Sequence, residues 1–126
     1  MRFEILDCVM HNIKELKIWN KAMELATDIY SSTKNFPKEE MYGLTSQLRR
    51  AAVSVPSNIS EGAGRNSNNE FKHFLSIANG SCYELQTQIV LSNKLNFISS
   101  EECDKLILKI EELQKMNYSL QKTIIK

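Results

Sequence analysis

Four stretches of this chain carry apolar residues at three- and four-residue spacing, and no run of β-branched residues alternates singly with polar ones. That period predicts helices and no strands, so the expected fold is all-α. The first stretch runs from about Lys17 to Thr33. Trp19, Ala22, Met23, Ala26 and Tyr30 form its stripe, widened by Ile18, Leu25 and Ile29. Phe36-Pro37 ends it, because a residue before proline avoids the α region. The second runs from about Thr45 to Ala63, with Thr45 read as its N-cap. Leu48, Ala51, Ala52, Val55, Ile59 and Gly62 make its apolar face. Pro56 lies inside it, yet the stripe keeps phase on both sides. One helix bent at Pro56 is therefore expected, not two.

The third stretch, about Asn68 to Leu95, places Phe71, Phe74, Leu75, Ala78, Cys82, Leu85 and Ile89 on one face. At 1.5 Å per residue it is roughly 40 Å long, which suits a bundle. The fourth runs from about Ser100 to the C-terminus. Leu106, Ile110, Leu113, Asn117, Leu120 and Ile124 form a coiled-coil-like seam with one polar break at Asn117. Ser67 with Glu70, and Ser99 with Glu102, read as capping boxes. The links are short, so consecutive helices should pack antiparallel, up-down-up-down, in one domain over residues 14–126. Residues 1–13 show no firm pattern and are expected to form a tail.

A second, polar line runs along the second helix: Gln47, Arg50, Ser54, Asn58, Glu61 and Arg65. It lies about 110° from the apolar stripe. The third helix has a counterpart in Ile77, Ser81, Glu84, Gln88, Leu91 and Leu95. Folding back at Gly64-Arg65-Asn66 would bring Arg50 near the level of Ser81 to Glu84. An Arg50–Glu84 ion pair is expected, with Arg49 as the other candidate. Two accounts stay open. One is a solvated face whose pairs each contribute about 0–1 kcal/mol. The other is a polar interface between helices or between subunits, which the short side chains of Ser54, Asn58 and Ser81 favour. Gly80 and Ser81 permit close approach, and Leu91 and Leu95 point to oligomerisation.

Charge narrows the function. The net charge of +1 is spread evenly: nine basic and eight acidic residues up to position 66, seven of each after it. Neither half is a basic arm of the kind dedicated nucleic-acid binders carry. The three cysteines, Cys8, Cys82 and Cys103, have no CxxC spacing, which argues against a disulfide framework or a zinc site. His11 and His73 belong to no HxxxH or HExxH pair, and Glu101, Glu102 and Asp104 read as favourable contacts with a helix dipole. No phosphate-loop motif is present; Gly62-Ala63-Gly64-Arg65 reads as a helix stop and turn. No metal, cofactor or catalytic group is expected. With no signal-like N-terminus and no apolar stretch near 20 residues, the expected location is the cytoplasm, away from membrane.

Several ordered strings are similar to one bacterial family. They are Leu16-Lys17-Ile18-Trp19-Asn20-Lys21-Ala22, then Phe36-Pro37-Lys38-Glu39-Glu40 with Tyr42-Gly43-Leu44-Thr45-Ser46-Gln47. The most specific is Arg49-Arg50-Ala51-Ala52-Val53-Ser54-Val55-Pro56-Ser57-Asn58-Ile59-Ser60-Glu61-Gly62, followed by Phe74-Leu75-Ser76-Ile77-Ala78-Asn79-Gly80-Ser81 and Glu84-Leu85. Together they span about residues 14–95, with Asn20 and Ser60 where the family pattern has Gln and Ala. The chain thus resembles the four-helix bundle proteins first noticed in intervening sequences of 23S ribosomal RNA genes. The resemblance implies a left-handed antiparallel bundle assembled as a homopentamer. It also implies a fold relationship to the accessory protein of diversity-generating retroelements, which is thought to bind nucleic acid and a reverse transcriptase.

Two functions follow as expectations. The first is a non-enzymatic oligomer that binds RNA or DNA through Arg49, Arg50 and Arg65, helped by Lys14, Lys17 and Lys21. The second is a structural or protein-binding adaptor with no nucleic-acid role.

Overall fold

The computed structural model of the chain describes residues 13–124. The expected tail, with Cys8 and His11, lies outside the described residues except for Ile13. Four helices account for most of what is described: α1 (Lys17–Thr33), α2 (Leu44–Ala63), α3 (Asn68–Lys94) and α4 (Ser100–Thr123). Short 3-10 turns, Ile13–Glu15 and Lys38–Glu40, precede α1 and α2. The described residues contain no strand. α2 runs unbroken through Pro56.

Each helix packs on two neighbours, α1 on α2 and α4, α3 on α2 and α4. Rising numbers on one helix meet falling numbers on the next, so every adjacent pair is antiparallel. Gln47 and Ser54 of α2 meet Gln88 and Ser81 of α3, at 3.4 and 2.8 Å. Ser76 and Gln86 of α3 meet Gln121 and Gln114 of α4. Lys21, Glu24 and Ser32 of α1 meet Glu112, Lys109 and Glu102 of α4. The up-down-up-down bundle follows from these contacts.

The core is a column of aliphatic side chains. Leu25, Ile29, Leu48, Ile59, Leu75, Leu85, Ile89, Leu106, Ile110 and Leu113 are all almost fully buried. Each such side chain contributes about 1.5–3 kcal/mol by leaving water. The stripes of α2, α3 and α4 face inward as the sequence predicts, with Phe74 and Leu120 partly buried at the margin. α1 is turned differently. Its core line is Ile18, Ala22, Leu25 and Ile29, while Met23 and Tyr30 are each 43% exposed. α1 carries two adjacent apolar lines, and the longer aliphatics take the core.

Helix ends are set by local hydrogen bonds. Ser67 Oγ accepts from the Glu70 N–H at 3.1 Å and Ser99 Oγ from the Glu102 N–H at 3.0 Å, as the sequence predicts. α2 starts otherwise. Thr45 is buried and is no cap; the Glu40 carboxylate, brought over the helix start by its 3-10 turn, accepts from the Leu44 N–H at 3.0 Å. A negative group there also suits the helix dipole. Asn96, at φ 64°, ends α3 in the left-handed region, and Phe97 N–H closes the turn on the Ser92 carbonyl at 2.8 Å. Asn20 donates to the carbonyls of Lys14 and Leu16, tying the first 3-10 turn to α1.

The α2–α3 hairpin is the tightest contact. A Cβ on Gly62 would stand 2.7 Å from Phe74 Cβ and 3.0 Å from Phe71 Cδ1. Only glycine lets the two helices meet there.

Candidate functional site

An open groove of about 920 Å³ lies on the outer side of α1 and α2. Trp19, Met23, Ala26 and Tyr30 form one wall, Val53, Pro56, Ser57 and Ser60 the other, and Glu61, Gly64 and Arg65 its lower end. The α1 wall is the apolar line that the core leaves outside. Val53 is the matching feature on α2, 43% exposed on a helix whose remaining apolar residues are buried. Contiguous apolar surface of this kind on a folded chain marks an interaction site. The sequence signals the apolar residues but not that they face outward.

The groove continues past Tyr30 into a second hollow of about 340 Å³, lined by Met41, Tyr42, Thr45, Ser46, Arg49 and Arg50. Tyr42 is 96% exposed. Arg49 is fixed here: its Nε donates to Thr33 Oγ1 at 2.9 Å, and its guanidinium lies 4.7 Å from the Tyr30 ring centre.

Part of the polar line of α2, Gln47 and Ser54 with Asn58 beside them, forms an interhelical seam. Ser54 and Ser81 hydroxyls share a hydrogen bond, and Asn58 Nδ2 donates to the Ser54 carbonyl and hydroxyl at 2.8 and 3.0 Å. Gln88 Nε2 donates to Gln47 Oε1 and Glu84 Oε2, both at 3.4 Å. Gln88 Oε1 is buried and has no partner among the described residues. The expected Arg50–Glu84 ion pair does not form, nor does Arg49 replace Arg50. Arg50 sits further round the outside of α2 than Ser54, and it makes no hydrogen bond or ion pair among the described residues. Leu91 and Leu95 stand outside the core, 44% and 48% exposed.

The six basic candidates do not converge. Arg49 and Arg50 lie near the start of α2, whereas Lys14, Lys17, Lys21 and Arg65 lie at the opposite end of the bundle. Arg65 pairs with Glu61 at 2.8 Å and Glu70 at 4.0 Å and lies 4.9 Å from the Phe74 ring centre. Lys21 pairs with Glu112 at 3.6 Å. Sequence proximity therefore overstates the shared positive field.

Other chemistry is sparse. Burial pushes the Cys82 thiol up to about 11, which disfavours the thiolate, and burial and then Asp104 raise Cys103. Among the described residues no three His, Cys, Asp or Glu side chains stand close enough to hold a metal ion. No described helix is long and apolar enough to cross a membrane.

Comparison with known proteins agrees with this architecture. A crystal structure of a protein with unknown function from the S23 ribosomal protein family, from Bacteroides thetaiotaomicron, superposes with a TM-score of 0.76. The match covers 84% of this chain and 99% of that one at 24% identity, a likeness that speaks to the fold alone. No curated protein matches the chain. Residues 14–119 match the family described as 23S rRNA-intervening sequence protein. The four helices, their order and that match together place the chain in the 23S rRNA-intervening sequence protein family.

Proposed function

We propose that this protein is a non-enzymatic assembly module: a rigid four-helix bundle that associates with further copies of itself through the groove between α1 and α2. One observation carries the reading. Met23, Tyr30 and Val53 stay exposed on one side of a bundle whose core is already filled by other aliphatic residues. Covering that side with protein removes apolar area from water at about 25 cal/mol per Å², with no change of fold. The homopentamer implied by family resemblance is one such assembly. The test is Val53→Arg, a substitution at an exposed position. Sedimentation should give an assembled wild type and a monomeric variant of unchanged helicity. An assembled variant would remove the groove from the contact.

A second reading is favoured by the hollow at the start of α2. Arg50 has no partner among the described residues, and it shares that hollow with Tyr30, Met41 and the exposed Tyr42. Aromatic faces beside a free guanidinium suit single-stranded nucleic acid, which stacks its bases and neutralises its phosphates there. Binding to single-stranded RNA should then weaken steeply between low and high salt, and Tyr42→Ala and Arg50→Ala should each reduce it. No binding at low salt excludes it.

A further inference from the structure

The groove has a counterpart on the adjoining side of the same bundle, and we infer that what fills it is α3 of a second copy of this chain. This rests on the self-assembly reading above. α3 presents an outward ridge made by Ile77, Gly80, Glu84 and Leu91. Ile77 and Leu91 are 40% and 44% exposed. Gly80 stands in the middle of a 27-residue helix, where glycine is destabilising relative to alanine. Within the chain nothing explains it: a Cβ there would meet no atom within 4 Å. A second helix lying across that point would.

The heights match. Ser54 is level with Ser81, Gln47 with Gln88, and Arg49 with Thr33, so three helices can be read on one scale. On that scale Ile77 stands level with Met23 and Ser57, and Gly80 with Val53 and Pro56. Glu84 stands level with Arg50, and Leu91 with the start of α2 beside Tyr42. A second copy set alongside in the same sense keeps these levels. Ile77 then enters the apolar stretch of the groove, and Gly80 lets α3 cross the Val53–Pro56 rim closely. Leu91 covers the Met41–Tyr42 end. Glu84 meets Arg50, which lacks a partner among the described residues of its own chain, while Glu84 itself receives only a long hydrogen bond from Gln88. Groove and ridge lie on adjoining sides of the bundle. The contact is therefore heterologous, each copy using both sides, and repeating it builds a ring wherever the rotation closes.

The experiment uses two full-length variants read by native mass spectrometry, with circular dichroism as the control for folding. Val53→Arg blocks the groove and leaves the ridge; Gly80→Trp blocks the ridge and leaves the groove. Each alone should be monomeric. Mixed in equal amounts they should form a one-to-one dimer and nothing larger, because one intact contact remains. Arg50→Glu and Glu84→Arg should each weaken assembly by about tenfold or more, and together in one chain restore it. A wild type that assembles while Gly80→Trp assembles equally well, or a mixture that stays monomeric, overturns this contact and leaves self-assembly standing. A monomeric wild type overturns both.

Discussion

Ser54 and Ser81 share a hydrogen bond of 2.8 Å across α2 and α3. Two hydroxyls that close require the helix backbones themselves to be near. The seam is therefore as much steric as polar: short side chains let α2 and α3 approach, and the hydroxyls satisfy one another at a partly buried contact. Ser81→Leu should drive the pair apart and cost about 1–3 kcal/mol by overpacking, whereas Ser81→Ala should cost about 1 kcal/mol. Chemical denaturation of the two variants gives the comparison, and equal losses would show that the seam is not close-packed.

The glycines of α2 and α3 should respond in opposite directions. Gly62→Ala sets a methyl 2.7 Å from Phe74 Cβ, an atom fixed to its backbone, and should cost about 1–3 kcal/mol. Gly80→Ala meets nothing within 4 Å and should stabilise the separate chain by about 0.5–1 kcal/mol. The measurement belongs in the Val53→Arg background, which the proposed assembly contact predicts to be a single chain. Loss of stability at both positions would contradict the placement of Gly80.

Much of the fold is legible in the sequence because its signals are local. The hydroxyl caps of Ser67 and Ser99 sit at their expected positions, and on α2, α3 and α4 the main apolar stripe is the one that turns inward. α1 has two adjoining apolar lines, and hydrophobicity alone does not say which one α2 and α4 will cover. That ambiguity concealed the groove. The cap on α2 comes from Glu40 in a preceding turn, outside the reach of a helix-start pattern. Levels along α2 and α3 follow from the hairpin, so Arg50 does stand level with Glu84. Its direction around the helix depends on how closely the seam packs, and the pair stays open.

Asn117 is the polar break in the α4 seam, 3% exposed. Its Nδ2 donates to the Leu75 carbonyl at 2.8 Å, and its Oδ1 accepts from Gln121 at 2.6 Å. Asn117→Leu should be neutral or stabilising, since the Leu75 carbonyl lies within α3 and Gln121 can turn to water. Asn117→Ala should cost about 1–2 kcal/mol, leaving a gap as well. A larger loss in the leucine variant, seen by thermal melting, would make the amide a register-setting contact.

Lys109 of α4 bridges Asp28 and Glu24 of α1. The hydrogen bond that Lys109 donates to Asp28, offset in part by burial and aided by Glu24, raises its pKa. A raised folded-state pKa means that the contribution is complete below the ordinary lysine pKa and fades as pH climbs through the folded one. Lys109→Met should thus cost about 0.3–1 kcal/mol, a small loss because the group is partly solvated, and that loss should stay constant across neutral pH. The gap should shrink with added salt and in strong alkali. A gap that widens with pH would contradict the clamp.

The most direct measurement of the central claim is the mass of the wild-type particle under native conditions, followed over a dilution series beside Val53→Arg. Self-assembly through the α1–α2 groove predicts one discrete multi-copy species for the wild type and a single chain for the variant at every concentration. A wild type that stays a single chain at the highest concentration, or a variant that assembles like it, would contradict the account.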